Sequence, residues 1–186
     1  MLNPEITVAG PAERDKVVGS LVAAFADDPV LRYLFPDEQT YPAYASGFFG
    51  FLFDIRVDRG TIWTIDGGAA TAMWEAPDAD EGSDADLAAM LPAPVLERVR
   101  SYNRAVHQIM PAKPYWYLGV LGTHPASAGR RWGHAVMAVG LKRAADDGLP
   151  AVLETATPGN VEMYRRAGWE VVASLDAPVP TWVMQQ

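Results

Sequence analysis

The sequence predicts an α/β fold built on a mixed sheet, and three observations carry that prediction. The C-terminal half alternates strand, helix, strand, helix, strand in its hydrophobic period, which requires at least one parallel crossover. "YWYLGVLGT", residues 115–123, is a continuous apolar run too short for a helix and reads as a strand buried on both faces. "TIWTIDGGAATAMWEAP", residues 61–77, sets two β-rich runs about a "DGG" turn and reads as a hairpin. At 186 residues and 49% hydrophobic the chain is long enough to enclose its own core, so one domain over residues 1–186 is expected.

In chain order, Ile6 to Ala9 is a short β-prone segment. Pro11 then opens a helical pattern in which Val17, Val18, Leu21, Val22 and Phe25 recur at helical spacing until "ADDP". The apolar "VLRYLFP" leads into "YPAYASGFFGFLFDIRVDRG", whose density of aromatics suits a helix buried on a wide face and ended by Gly60. After the hairpin, "DADEGSDAD" is expected to be a mobile loop, and Leu87 to Met110 is helical in character with breaks at Pro92 and Pro94. Beyond the buried strand, Val136, Met137, Gly140, Leu141 and Ala144 make one apolar stripe of a helix that ends at "DDGLP", with Gly148 as its cap. Strand "AVLET", helix "NVEMYRRAG" with Gly168 past its end, strand "WEVVASL" and terminal strand "TWVMQQ" complete the chain.

Composition narrows the chemistry. With no cysteine there is neither a thiolate metal site nor a cysteine nucleophile, and three scattered histidines make no metal centre expected. No run of about 18 apolar residues appears, and Met1 to Gly10 lacks the basic start and apolar stretch of a signal peptide. No membrane span and a cytoplasmic location are therefore expected. The net charge of −8 argues against generic binding to nucleic acid or anionic membrane. That charge is segregated: Arg98 to Ala145 holds no Asp or Glu but eight Lys and Arg. Such a division suggests one region that meets a small polyanion and another that attracts a cation.

The acid-free span contains "GTHPASAGRRWGHAVM", residues 122–137. A loop that leaves a buried strand and feeds a helix turns backbone N–H groups and the positive helix end into one small space, which is an anion site. Gly129 and Gly133 let the main chain turn tightly and approach a ligand, and Arg130 and Arg131 raise the local potential. There is no G-x-x-x-x-G-K-[ST] and no G-x-G-x-x-G, so the glycines of ATPases and dinucleotide-binding folds are missing.

"YLGVLGTHPASAGRRWGHAVM" followed by "LETATPGNVEMYRRAGWEVV" resembles the GNAT superfamily of acetyl-coenzyme A dependent N-acetyltransferases, in particular its antibiotic-acetyltransferase-like members related to puromycin N-acetyltransferase. "AAFADDPVLRYLFPDE" and "PVPTWVM" are similar to the same group, so the resemblance covers nearly the whole chain. In the family's loop, Q/R-x-x-G-x-G/A, Gly129, Arg130, Trp132 and Gly133 fall into place. Ala128 stands where Gln or Arg is usual, and Arg131 stands where the first motif glycine is usual. The resemblance implies a mixed, mostly antiparallel central sheet with helices on both faces, splayed in the middle between the strand ending at Thr123 and that ending at Thr155.

The resemblance also implies direct transfer of acetyl from acetyl-CoA to a primary amine of a small molecule in a ternary complex, without metal. It assigns Leu121, Gly122 and Thr123 to the pantetheine arm and Ala128, Gly129, Arg130, Arg131, Trp132, Gly133 and His134 to the pyrophosphate. Arg131 keeps its main-chain N–H, so replacing glycine removes conformational freedom rather than a donor. Asn160 is implied to contact the coenzyme. Tyr164, four residues on and so on the same helical face, is implied to protonate the leaving thiolate, as a phenol of pKa ~10 can at neutral pH. The base stays open between Glu154, which matches a Glu common in the group, Glu75 and His107.

Trp74, Trp116 and His107 are expected to border the acceptor. Strand alternation puts Tyr115 and Tyr117 on the face opposite Trp116, so at most one face lines the pocket. The phenylalanine-rich helix about Gly47 to Phe53 would wall it and favour an acceptor with an apolar or planar body; the acidic remainder of the chain favours a cationic one. A monomer or homodimer is expected. The altered loop at Ala128 and Arg131 prompts a second reading, a GNAT-fold module that holds CoA or another ligand without acyl transfer.

Overall fold

The computed structural model describes residues 4–79 and 84–186. The elements in chain order are β1 (Ile6–Val8), α1 (Arg14–Ala24), α2 (Pro29–Leu34), α3 (Tyr41–Val57), β2 (Ile62–Ile65), β3 (Ala70–Glu75), α4 (Asp84–Met90), α5 (Ala93–His107), β4 (Trp116–Thr123), α6 (Trp132–Asp146), β5 (Ala151–Thr155), α7 (Pro158–Arg166), β6 (Glu170–Leu175) and β7 (Thr181–Gln185). Seven strands form one sheet in the order β1-β2-β3-β4-β5-β7-β6. Every neighbouring pair is antiparallel except β4 with β5, which α6 joins as the crossover.

Local chemistry explains the element ends. Asp66 and Gly67 both take positive φ, 49° and 58°, in the turn between β2 and β3, which suits the twist of a tight hairpin. Gly148 and Gly168, at φ 66° and 95°, terminate α6 and α7 in the left-handed conformation glycine adopts freely. The expected loop "DADEGSDAD" needs correction at its end: residues 80–83 lie outside the described residues, and Asp84 to Asp86 already belong to α4. The following Leu87, Ala88, Ala89 and Met90 are strong helix formers and draw the acidic residues into the first turn.

Helices cover both faces. On one face α1, α2, α3 and α5 enclose a core that includes Leu21, Phe49, Phe53 and Val99 with Met73 and Val120 from the sheet. On the other, α6 and α7 bury Trp74, Trp116, Leu118, Leu153 and Trp169. Along β4 the facing changes, because the register against β3 shifts between Met73 and Trp74 and leaves Gly119 as an extra residue. Before this bulge, Trp116 and Leu118 lie beneath α6; after it, Val120 faces α1 and α3 although it has the same parity.

The parallel pair is short. β4 and β5 are in register only at Trp116 with Ala151 and Tyr117 with Val152. Beyond those rungs each strand keeps its outer neighbour, β4 pairing β3 to Thr123 and β5 pairing β7 to Thr155, so the sheet is splayed in the middle.

α6 reaches the sheet at Gly140, where an added Cβ would collide with the indole of Trp74, itself fully buried. Gly140→Ala is therefore expected to lower stability by about 1–3 kcal/mol through overpacking, even though alanine favours helices by about 1 kcal/mol. Urea denaturation with an unchanged m-value checks this.

Candidate active site

Where β4 and β5 part, a cavity of about 330 Å³ opens between the two halves of the sheet. β4 contributes Tyr117 to Leu121 and β5 contributes Leu153 to Thr155. Phe48, Phe49, Leu52 and Arg56 of α3, Tyr102, Val106 and His107 of α5, and Asn160 and Tyr164 of α7 close it, with Glu75 at the end of β3 and Asp28 ahead of α2. The aromatic helix predicted to wall the pocket does so.

Of the three carboxylates, Glu154 is the most perturbed. Tyr117 donates its hydroxyl to both carboxylate oxygens, at 2.8 and 2.7 Å. Burial pushes Glu154 up to about 7; the Tyr117 hydrogen bond works the other way, and the nearby charges of Glu75 and Asp28 add to the rise. Tyr117 is itself held well above a phenol's ordinary value by burial, and then by the Glu154 charge. Tyr164 stands edge-on to Trp169 at 5.9 Å and is 6% exposed. Burial, then the charge of Glu154, raises it, so its hydroxyl stays protonated at neutral pH.

Glu75 is placed differently. Its carboxylate forms an ion pair with Arg56, whose side chain is 3% exposed. Arg56 also donates from Nη1 to the Leu52 carbonyl at 2.8 Å. A Cβ on Gly119 would lie 3.1 Å from the guanidinium, so the glycine of the bulge is what lets the cation approach β4. Asp28 caps α2, accepting from the backbone N–H of Val30 and Leu31 at 2.9 and 3.1 Å. Burial raises it.

The structure therefore brings together Tyr164, Glu154, Glu75, Asn160, Leu121 and His107 around one cavity. Trp74 and Trp116 are not among them, and their assignment to the acceptor pocket is corrected. Both face α6 in the opposite core, where Trp74 packs on Gly140 and Trp116 donates its indole N–H to Asp147 at 2.7 Å. On β4 the cavity is lined from the face opposite Trp116, that of Tyr115 and Tyr117.

From the cavity the wall runs along β4 to the junction with α6. Gly122 lies under α1, where a Cβ would meet Leu21 at 2.6 Å, and Thr123 places its hydroxyl beside Gly133. His124 accepts from the N–H of Ala126 at 3.2 Å and shapes the turn. Among the described residues, none of the backbone N–H groups from Gly129 to His134 has a protein acceptor, whereas those of Ala128 and Ala135 do. Gly129 takes φ 79° and Arg131 φ 61°, so Arg131 holds the left-handed conformation that glycine adopts freely. The Arg130 guanidinium stacks over the Trp132 ring at 4.8 Å. Arg131 and His134 border a shallow depression with Glu162 and Arg166.

No protein-family model matches the chain. Solved structures do. A Corynebacterium glutamicum protein described as histone acetyltransferase HPA2 and related acetyltransferase superposes with a TM-score of 0.73 at 22% identity, over 99% of this chain and 96% of that one. Arylalkylamine N-acetyltransferase 2 of Aedes aegypti matches at 0.69 and 10% identity, over 100% and 99%. A Drosophila melanogaster polyamine N-acetyltransferase matches at 0.59 and 15% identity, over 98% of each chain. The fold is that of the GNAT acetyltransferases.

Within this GNAT fold, Arg56, Tyr102 and Asp28 line the cavity without having been singled out from the sequence, and Tyr117 lines it on the strand face that alternation left open. Arg56 left a readable trace: Ala45, Phe49, Phe53 and Arg56 follow helical spacing and all are buried, so a charge stands on an apolar stripe and needs a partner.

The left-handed backbone at Arg131 costs a side-chain-bearing residue roughly 1–2 kcal/mol. Arg131→Gly is expected to raise stability by up to about 1 kcal/mol once the entropy of glycine is set against that strain, and Arg131→Val to lower it. Denaturation midpoints of the two variants would show the opposite signs.

Proposed function

We propose that the protein is an acetyl-CoA dependent N-acetyltransferase that acylates the primary amine of a small molecule by direct attack. The observation that carries this is the pairing, across one cavity at the split of a GNAT sheet, of a carboxylate tuned to about 7 with a buried, protonated phenol. The chemistry named for the structural neighbours, acetylation of arylalkylamines and of a polyamine, supports the same reading. The finer kinship with antibiotic-acetyltransferase-like enzymes is part of the proposal and rests on "LETATPGNVEMYRRAGWEVV".

The residues present fit the coenzyme. The free N–H groups of Gly129 to His134 stand at the start of α6 and suit a pyrophosphate, with Arg130 and Arg131 adding positive potential. The edge of β4 that β5 leaves unpaired through Leu121, Gly122 and Thr123 suits an extended amide-bearing arm, and Asn160, which donates to Thr155 at 3.5 Å, lines the same gap. The altered motif does not by itself argue for a binding-only module, because Arg131 takes the left-handed backbone open to glycine and keeps an N–H without a protein acceptor. When bound, acetyl-CoA supplies an activated acetyl thioester and a thiolate leaving group.

The protein's own groups handle the protons. An acceptor amine arrives largely as ammonium and must lose a proton to become nucleophilic. Glu154 accepts it, because a base with a pKa near the operating pH is both available and strong enough. Glu75 is less suited, since its carboxylate is engaged by Arg56. His107 stands at the exposed rim of the cavity. Tyr117 holds the Glu154 carboxylate in place and supports its charge. On the α7 side, Tyr164 holds a proton at its hydroxyl for the departing sulfur.

If Glu154 is the base, kcat/KM rises with pH through about 7 as the carboxylate ionises. Glu154→Gln is expected to flatten that limb and lower kcat about 100-fold or more. Tyr117→Phe removes a hydrogen bond to the charged form, so the limb moves to higher pH. Tyr164→Phe is expected to lower kcat at saturating substrates by on the order of 100-fold; unchanged turnover would remove the acid assignment.

A further inference from the structure

The class of amine follows from the charges that face the acceptor side of the cavity, on the reading that this site transfers acetyl. Three carboxylates line it, Asp28, Glu75 and Glu154. Asp28 is held by two backbone N–H groups and Glu154 by the Tyr117 hydroxyl, and neither is in an ion pair among the described residues. The buried cation in the wall, Arg56, is already committed. One amino group serves Glu75 and the other the Leu52 carbonyl, while Nε is shut away from solvent without a partner. Lys113 stands at the exposed rim and has an interaction of its own. Phe48, Leu52, Val106 and Met110 supply apolar wall.

A ligand ammonium in this space meets carboxylates and aromatic faces, both of which attract it. A ligand carboxylate meets two carboxylates without a counter-cation and an arginine it can reach only by displacing Glu75. Like charges brought together in a partly desolvated site cost several kcal/mol.

We propose that the acceptor is a primary amine on an apolar or aromatic body that carries no carboxylate, a decarboxylated or carboxyl-blocked amine rather than a free amino acid, and that the Glu75–Arg56 pair enforces this by withholding the arginine from substrate. Arg56 acts through Glu75 and is a positioning residue; Asp28 and Glu154, which have no counter-cation, repel the unwanted substrate.

The test compares 2-phenylethylamine, phenylalanine methyl ester and phenylalanine as acceptors, with acetyl-CoA saturating and thiol release as the readout. The amine and the ester are expected to exceed phenylalanine in kcat/KM by at least about 100-fold, the discrimination that such a like-charge contact supports. Phenylalanine turned over within about threefold of its ester overturns the inference while leaving acetyl transfer intact. Glu75→Gln is expected to narrow the gap about tenfold or more by releasing Arg56, an effect a merely structural role would not produce. Because that variant leaves a buried guanidinium short of its partner, Asp28→Asn provides a second measure and should narrow the gap in the same direction.

If no amine releases thiol, the acetyl-transfer reading fails and thermal shifts decide the inference alone. The amine and the ester should raise the melting temperature of the coenzyme-loaded protein and phenylalanine should not. Equal shifts, or none from all three, overturn it.

Discussion

The parting of β4 from β5 after two rungs is the constraint on which the rest of the site depends. A sheet interior normally satisfies its backbone by pairing, and unpaired N–H and C=O groups buried without partners are expensive. Here β4 and β5 each remain bonded to an outer neighbour along their length, so the inner edges are left to something other than protein or to water. The Gly119 bulge accompanies the parting. It turns Val120 toward α1 and α3 and leaves room for Arg56 against the strand, so one extra residue stands at the cavity and bears on the charge beside it.

Charge placement then follows from depth. A buried ion pair such as Arg56 with Glu75 gives little net stability, because removing both ions from water is about as costly as their attraction is favourable, yet losing one partner is expected to cost about 3–5 kcal/mol. The pair therefore fixes its own composition: a carboxylate at the end of β3 requires the arginine on α3. Glu154, with a phenol rather than a cation as its partner, is left with a proton affinity near neutrality. Two glutamates on one cavity thus stand in different surroundings, one held by a cation and one by a phenol.

The fold was legible in the sequence because its signals are local. The apolar run before Gly122, the "DGG" turn and the glycines ending α6 and α7 each specify backbone conformation within a few residues. α4 was missed at its start, since acidic residues read as loop while Leu87 to Met90 favoured helix. The candidate site was legible where its residues sit on a local pattern: Asn160 and Tyr164 share a helical face and both line the cavity, and the junction loop leaves its N–H groups without protein acceptors. Pairings across long sequence separations were not. Tyr117 with Glu154 and Arg56 with Glu75 depend on register and helix placement, and Trp74 and Trp116 were assigned to the wrong side because strand alternation gives parity but not which face is open.

Tuning Glu154 has a consequence for the fold itself. A carboxylate whose folded value is raised to about 7 from 4.5 binds its proton more tightly in the folded chain than in the unfolded one. Its contribution to stability is then most favourable at low pH and is lost as pH rises from about 4.5 to about 7. Above that window the folded protein bears the full cost of the charged, desolvated group, on the order of 3 kcal/mol at 1.36 kcal/mol per unit. Under the proposed reaction the same range is where Glu154 would become a competent base, so the ionised carboxylate that the proposal requires is the form the fold least favours. Tyr117 reduces this conflict by donating to both oxygens without supplying a cation. A lysine or arginine in its place would stabilise the charge more fully and, by holding the proton affinity down, would remove the base that the proposed reaction assigns to Glu154.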